Sequence, residues 1–161
     1  MQFNDLFRII NHLLFDMCSL GRRIHHVLCH LLFEIKTQVL ELGDVHIVIT
    51  DDKSNSKRTL VYERQTLPDM ISSITDGRYR EQKVRLLATY AQKDIAYIIE
   101  GDDMHESFSR ANHSVSSAYL NMVYRDNIHL FFTKNVEQTS FFILSVCSKI
   151  LSSVFQNIVD A

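Results

Sequence analysis

The stretch Leu60-Val-Tyr-Glu-Arg-Gln-Thr-Leu-Pro-Asp69 decides the fold, because it predicts a strand that leads directly into a helix. Its first residues are apolar and β-prone, and the run ends in an acid, Glu63. Thr66 stands three residues before Asp69, which is a variant of the capping box that begins helices. Pro68 suits a first helical turn, where a missing N–H costs little. We therefore predict a strand that ends at Glu63 and a helix from Thr66, with Glu63 and Asp69 close together at one end of a sheet.

Outward from this stretch, segments typical of strands alternate with segments typical of helices. The predicted strands are residues 12–16, 38–42, 45–50, 59–63, 95–100 and 128–133. The predicted helices are residues 21–34, 66–76, 78–92, 105–124 and 136–159. The polar segment 51–57 is compatible with a hairpin, and Val84, Leu86 and Leu87 are expected to point inward from their helix. This alternation predicts a three-layer α/β domain, in which sites gather outside strand ends.

Composition bounds the class of protein. The 161 residues suit one domain, 46% of them are hydrophobic, and the low content of one Pro and four Gly argues against flexible linkers. A formal net charge of −2 argues against a protein coated in basic residues, although it allows a local basic patch. Three Cys without C-x-x-C spacing favour a reducing compartment. The chain has no apolar run long enough for a membrane span and no glycine-rich phosphate loop.

Four acids stand at the predicted ends of strands or at the start of a helix. Asp16, Asp44 and Glu63 close three strands, and Asp69 lies in the first turn of the helix that follows. Hard oxygen ligands of this kind suit Mg²⁺ or Mn²⁺. For any one acid, the simpler interpretation is favoured: it ends its strand for solubility, or caps a helix. The four together favour a metal site.

A basic segment follows directly after these acids. Arg78, Arg80, Lys83 and Arg85 lie in the next helix, and Arg78, Gln82 and Arg85 share one helical face at steps of four and three residues. A phosphate backbone would be attracted there. An ordinary solvated helix face is the alternative, and for this segment taken alone it is the favoured one.

Taken together, these residues resemble the nuclease domain of the XPF-type structure-specific endonucleases. That family carries Gly-Asp, then Glu-Arg-Lys-x-x-x-Asp, then Ser-Ser-Ile-x-Asp-Gly-Arg-x-x-Glu-Gln-Lys-x-Arg-Leu in a helix pair. Here Gly43-Asp44, Glu63-Arg-Gln-x-x-x-Asp69 and the segment 71–86 match nearly residue for residue. Residues 96–101 resemble the family's next strand. The resemblance covers about residues 12–155 of a single domain, 1–161, and is strongest from 60 to 101.

The resemblance implies a fold, a cofactor and partners. The fold is the three-layer α/β/α nuclease fold of restriction enzymes, with a central mixed sheet flanked by helices. A divalent metal, Mg²⁺ or Mn²⁺, is held by Asp16, Asp44 and Glu63, with Arg64 and Asp69 in support. The expected substrates are branched DNA such as flaps, forks and junctions. Family members pair through this domain, so a homodimer or heterodimer is expected, acting in the nucleus, or in a host cell if the protein is viral.

Three departures from the family pattern bear on activity. Gln65 stands where the family has Lys, so the catalytic set lacks one positive charge, at a cost on the order of 10²–10³ in rate. The acid usually found soon after Asp16 is missing. The chain ends at Ala161 without the helix-hairpin-helix module that grips DNA in most relatives. Three explanations are open: a partner supplies the module, the sequence is truncated, or the substrate is different. Two alternatives therefore stay open: an attenuated scaffold subunit, and a phosphodiesterase for a small cyclic dinucleotide.

Overall fold

A computed structural model describes residues 38–51, 56–101, 108 and 113–159 of the chain. The chain divides into two compact units, one of Leu40–Asn135 and one of Met1–Val39 with Val136–Ala161. The predicted strand 12–16 and the predicted helix 21–34 lie outside the described residues.

The larger unit is built on a four-stranded mixed sheet. Its strands, in spatial and chain order, are β1 (Val45–Asp51), β2 (Ser56–Thr66), β3 (Ile95–Glu100) and β4 (His129–Thr133). β1 and β2 form the predicted antiparallel hairpin, with Asp51 opposite Ser56. β2, β3 and β4 run parallel, which requires a crossover between each pair. The mixed sheet predicted from the sequence is confirmed.

Helices occupy these crossovers. They are α1 (Leu67–Thr75), α2 (Arg78–Thr89) and α3 (His113–Leu120), with a 3₁₀ turn at Gln92–Asp94 and a π-helical segment at Asn121–Arg125. In the second unit, α4 spans Val136–Val159, as predicted. Within the described ranges, none of the helices combines the length and the apolar character needed to cross a bilayer.

The junction of β2 and α1 forms as the capping pattern predicts. The Thr66 hydroxyl oxygen accepts a hydrogen bond from the Asp69 N–H, and Pro68 lies in the first turn. Asp76 is the C-cap residue that follows α1, and Gly77 adopts a positive φ of 86°, which an L side chain rarely tolerates. The chain can therefore begin α2 at once, and the two helices form a continuous pair.

The hydrophobic core of the larger unit lies between the sheet and these helices. All six residues of β3 are buried, as expected for a strand with parallel neighbours on both sides. From α2, Tyr79, Lys83 and Leu86 face inward at steps of four and three residues. Fully buried core side chains include Val61, Met70, Leu86, Ile95, Tyr97, Ile98, Val115 and Met122.

Three predictions about these elements were wrong. Residues 38–42 are not a strand: Leu42 is buried, but the chain turns at Gly43, where φ is 77° and an added Cβ would lie 2.6 Å from Val61 Cγ1. β2 continues three residues beyond Glu63, because it pairs with β3 as far as Thr66 and Glu100. Val84 is 59% exposed, since one residue after Lys83 the helix has rotated by about 100° away from the buried face.

Candidate active site

Asp44 and Glu63 lie side by side at the start of the β1–β2 ladder. Val45 pairs with Tyr62, so Asp44 comes next to Glu63 at the following position of the antiparallel register. The Asp44 N–H also donates to the Tyr62 carbonyl oxygen at 2.8 Å. The structure thus brings together two of the three acids that the resemblance names as metal ligands, and Glu63 lies within its strand rather than at its end.

Glu63 is held in an environment that disfavours its charge. The side chain is buried, and burial together with the negative field of Asp44 raises its pKa from 4.5 to about 8. Hydrogen bonds from the Gln82 and Gln65 side chains act in the opposite direction. Within the described part of the chain, the buried Oε2 of Glu63 has no hydrogen-bond partner. A buried carboxylate oxygen left in this state is costly unless a cation compensates it.

Asp44 is fixed by the backbone of Arg64. The Arg64 N–H donates a hydrogen bond of 2.7 Å to Asp44 Oδ2. Burial raises the pKa of Asp44, whereas this hydrogen bond and the positive charge of Arg64 lower it. Asp44 therefore has one oriented oxygen, and the charge of its carboxylate is partly compensated.

The Arg64 guanidinium forms a two-bond ion pair with Glu100, the last residue of β3. Arg64 Nε lies 2.8 Å from Glu100 Oε2, and Nη2 lies 2.5 Å from Oε1. These bonds, and the negative fields of Glu100, Asp44 and Asp69, raise the pKa of Arg64 above its ordinary value. Arg64 thus contributes a backbone donor to Asp44 and a side-chain cation to Glu100.

Gln65 projects from the same face of β2 as Glu63, because side chains alternate along a strand. Its Nε2 lies 3.5 Å from Gln82 Oε1, a long hydrogen bond. Its Oε1 is buried and, within the described residues, lacks a hydrogen-bond partner. The site therefore holds a neutral amide where the resembled family places a charged amine.

Asp69 lies in the first turn of α1, where it contacts the N-cap residue Thr66. Its side chain is exposed, and its Oδ2 accepts a hydrogen bond of 2.6 Å from the Thr66 hydroxyl. The contact completes the cap of α1, and the negative field of Asp69 acts on Arg64. Asp69 thus supports the site through the helix start.

The predicted phosphate-binding residues of α2 divide into two groups. Arg78, Arg80 and Arg85 are exposed and Gln82 is half-buried. Arg78 forms an exposed ion pair with Asp76, and the contact of Arg85 with Glu41 is loose at 3.9 Å.

Lys83 departs from the prediction, since it lies in the interior. Its Nζ is 2.7 Å from Asp126 Oδ2 and 3.0 Å from the Tyr79 hydroxyl, so the ammonium does not face solvent. The sequence places Lys83 among basic residues of the same helix, and this pattern does not show that Lys83 is buried while the arginines are exposed.

The donor set at Asp44 and Glu63 fits a hard divalent cation. Carboxylate oxygens are the ligands that Mg²⁺ and Mn²⁺ prefer, and Glu63 offers a buried, unpartnered oxygen beside a second carboxylate. Among the side chains that the structure describes, no group of three His, Cys, Asp or Glu is placed to hold a metal ion. The third predicted ligand, Asp16, lies outside the described residues.

Two residues near the site were not predicted. Glu100 binds Arg64, and the same rule that selected acids at strand ends would have selected it. Tyr97 is the register partner of Glu63 in β3, and it is fully buried. Burial and the field of Glu63 raise the pKa of Tyr97, whose hydroxyl has no hydrogen-bond partner among the described residues. No local pattern in the sequence marks Tyr97.

The mixed sheet, its helical crossovers and the paired carboxylates define a restriction-endonuclease-like nuclease fold with three α/β/α layers. XPF from Aeropyrum pernix shares this fold, with a TM-score of 0.54 and 24% identity over 81% of this chain and 61% of that one. The ERCC4 domain model matches residues 15–146. The chain therefore belongs to the ERCC4 domain family.

Two curated relatives match over part of their length. The crossover junction endonuclease MUS81 of Debaryomyces hansenii is 30% identical over 129 residues, which is 77% of this chain and 20% of the relative. An ERCC4 domain-containing protein of African swine fever virus is 31% identical over 93 residues, which is 55% of this chain and 24% of the relative. The chain thus spans about a fifth to a quarter of these relatives.

Proposed function

We propose that this protein is a metal-dependent, structure-specific DNA endonuclease that acts on branched DNA in repair or recombination. The observation that carries the proposal is the pairing of Asp44 with a buried Glu63 whose Oε2 has no described partner. Membership of the ERCC4 domain family and similarity to a crossover junction endonuclease support it. Hydrolysis would consume one water, break the bond between phosphorus and the 3′ oxygen, and leave a 5′-phosphate and a 3′-hydroxyl.

In this proposal Asp44 and Glu63 hold Mg²⁺ or Mn²⁺ together with Asp16. A divalent cation held there supplies Lewis-acid chemistry, since it acidifies water and offsets the negative charge that develops on the phosphate. Arg64 orients Asp44 through its N–H. Gln65 contributes an amide donor without charge.

The DNA backbone would lie along the exposed face of α2. Arg78 and Arg85 stand seven residues apart, with Gln82 between them, so the three share one face of the helix. Arginine side chains there neutralise phosphates, which fixes the position of the DNA without reading its sequence. The buried Lys83 is not part of this contact set.

Assembly and location complete the proposal. We infer that the chain pairs with a second copy or with a related chain through this domain, as its resemblance to the XPF-type nucleases implies. Acting on branched DNA would place it in the nucleus, or in a host cell if it is viral.

The deciding experiment is cleavage of a labelled 3′-flap DNA with Mg²⁺, Mn²⁺ or EDTA. It compares the native chain with Glu63→Gln, Gln65→Lys and the control Glu81→Gln, an exposed acid of α2. We expect the native chain and the control to cut the flap but not intact duplex, Glu63→Gln to be inactive, and Gln65→Lys to cut faster. Cleavage by Glu63→Gln at the native rate would overturn the metal site.

A second candidate, an attenuated nuclease-fold subunit that scaffolds an active partner, is favoured by the neutral amide at Gln65. In that case the native chain would not cut, whereas Gln65→Lys would. If no variant cuts and calorimetry detects no Mn²⁺ binding, the metal site and the active nuclease are rejected, and the scaffold subunit is the candidate that is left.

A further inference from the structure

The ion pair between Arg64 and Glu100 joins two neighbouring parallel strands next to the candidate metal site. Arg64 is in β2 and Glu100 ends β3, and they are 36 residues apart in sequence. The register pairs Arg64 with Ile98, so Glu100 lies one same-face position further along β3. The guanidinium therefore extends along the sheet toward the end of β3.

The contact has the geometry of a two-bond, charge-assisted pair. Nε to Oε2 is 2.8 Å and Nη2 to Oε1 is 2.5 Å. Side-chain exposures are 19% for Arg64 and 8% for Glu100, so solvent screens the pair only weakly. Two bonds fix both the position and the rotation of the guanidinium plane, which a single contact would not do.

The consequence for the site comes through the backbone. The ion pair at the far end of the Arg64 side chain restricts the motion of this residue, whose N–H donates to Asp44 Oδ2 at 2.7 Å. Arg64 and Glu63 are adjacent, so the peptide between them also sets the direction in which the Glu63 carboxylate leaves the strand. One ion pair on one face of the sheet thus bears on two carboxylates of the site.

We propose that Glu100 is a positioning residue, which acts through Arg64 to orient Asp44 for metal binding. The inference rests on the proposed nuclease function and adds a residue to it. It also assigns to Arg64 a bracing role in which the guanidinium serves Glu100 rather than a substrate phosphate. Residues that orient metal ligands in this way change metal affinity by about 10–100-fold when they are substituted.

The test uses Glu100→Gln, which keeps the size of the side chain but removes its charge. The matched control is Asp94→Asn, which removes the ion pair between Asp94 and Arg58, also in β2 but six positions from Arg64. Three quantities are measured: the Kd for Mn²⁺ by calorimetry, the hydrogen-exchange protection of the Arg64 amide by NMR, and kcat and KM for the flap DNA.

We expect Glu100→Gln to weaken Mn²⁺ binding about tenfold, to lower the protection of the Arg64 amide, and to reduce kcat at unchanged KM. Glu100→Asp, which retains the charge, should recover part of each effect, and Asp94→Asn should leave all three unchanged. If Glu100→Gln only lowers the melting temperature while Kd and amide protection stay native, Glu100 is merely structural and the inference fails. If the native chain neither binds Mn²⁺ nor cuts, the proposed function fails, and the amide protection alone still decides whether Glu100 braces Arg64.

Discussion

Among single residues, Glu63 has a carboxyl group whose charged form the surroundings disfavour. Its carboxyl group is buried beside another acid, and its pKa is raised from 4.5 to about 8, first by burial and then by Asp44. At neutral pH and without a metal, the folded protein therefore holds Glu63 mainly in its protonated form. A cation must displace that proton in order to bind.

This raised pKa predicts how the stability of the metal-free protein depends on pH. Between 4.5 and about 8 the folded chain binds a proton that the unfolded chain has released, so the free energy of unfolding falls as pH rises through this range. The slope is at most about 1.4 kcal/mol for each pH unit. Urea unfolding in EDTA across the range, comparing the native chain with Glu63→Gln, measures it.

We expect the free energy of unfolding of Glu63→Gln, relative to that of the native chain, to increase with pH up to about 8. Glu81→Gln, which changes an exposed acid, should track the native curve. Added Mn²⁺ should stabilise the native chain most at the alkaline end, where it competes with fewer protons. A constant difference between Glu63→Gln and the native chain at all pH values would contradict the burial of an ionisable Glu63.

At the scale of elements, the junction of β2 and α1 joins the strand that carries Glu63 to the helix that carries Asp69. Thr66 caps α1 by accepting from the Asp69 N–H and donating to its carboxylate. Thr66→Ala should lower the free energy of unfolding by about 1 kcal/mol, because an N–H of the first turn loses its acceptor. Thr66→Ser keeps the hydroxyl and should retain most of the stability in the same urea titration. An equal loss in both variants would mean that the methyl group, not the cap, matters.

The elements that the sequence predicts well are those with a strong local signal. The cap at Thr66, the turn at Gly77 and the alternation of strands and helices all depend on neighbouring residues, and all are present. The end of β2 was misplaced because its last residues, Arg64 to Thr66, are polar, and only pairing with β3 keeps them in a strand. Local propensity does not contain such a tertiary contact.

At the scale of the larger unit, long-range ion pairs join elements that the sequence keeps far apart. Arg64 with Glu100 spans 36 residues, and Lys83 with Asp126 spans 43. The pattern of charges along α2 grouped Lys83 with the arginines, because such a pattern contains no information about Asp126, which lies on another segment. The strand-end rule selected Asp44 and Glu63, although residues 38–42 form no strand and Glu63 lies within β2, so the selection of these two acids depends on the resemblance.

Substituting one or the other partner of the buried Lys83–Asp126 ion pair leaves a different charged group without its partner. Removing the charge of Asp126 leaves a buried ammonium without a counter-ion among the described residues, since its other hydrogen-bond partner there is the neutral Tyr79 hydroxyl. Removing Lys83 leaves Asp126 still bonded to Arg125. Asp126→Asn should therefore cost roughly 3–5 kcal/mol in the free energy of unfolding at neutral pH. Lys83→Met should cost less, although it changes the more buried of the two residues.

Acid titration checks the same asymmetry. The hydrogen bonds of Arg125, followed by those of Lys83, lower the pKa of Asp126 below 3.8. A lowered pKa contributes stability above the unfolded value and loses it as pH falls through the folded value. The difference in the free energy of unfolding between the native chain and Asp126→Asn should therefore become smaller as the pH falls below 3.8. If Lys83→Met proves the more damaging variant, or if this difference does not change with pH, then the packing of Lys83 rather than the charge of Asp126 holds α2 to the segment before β4.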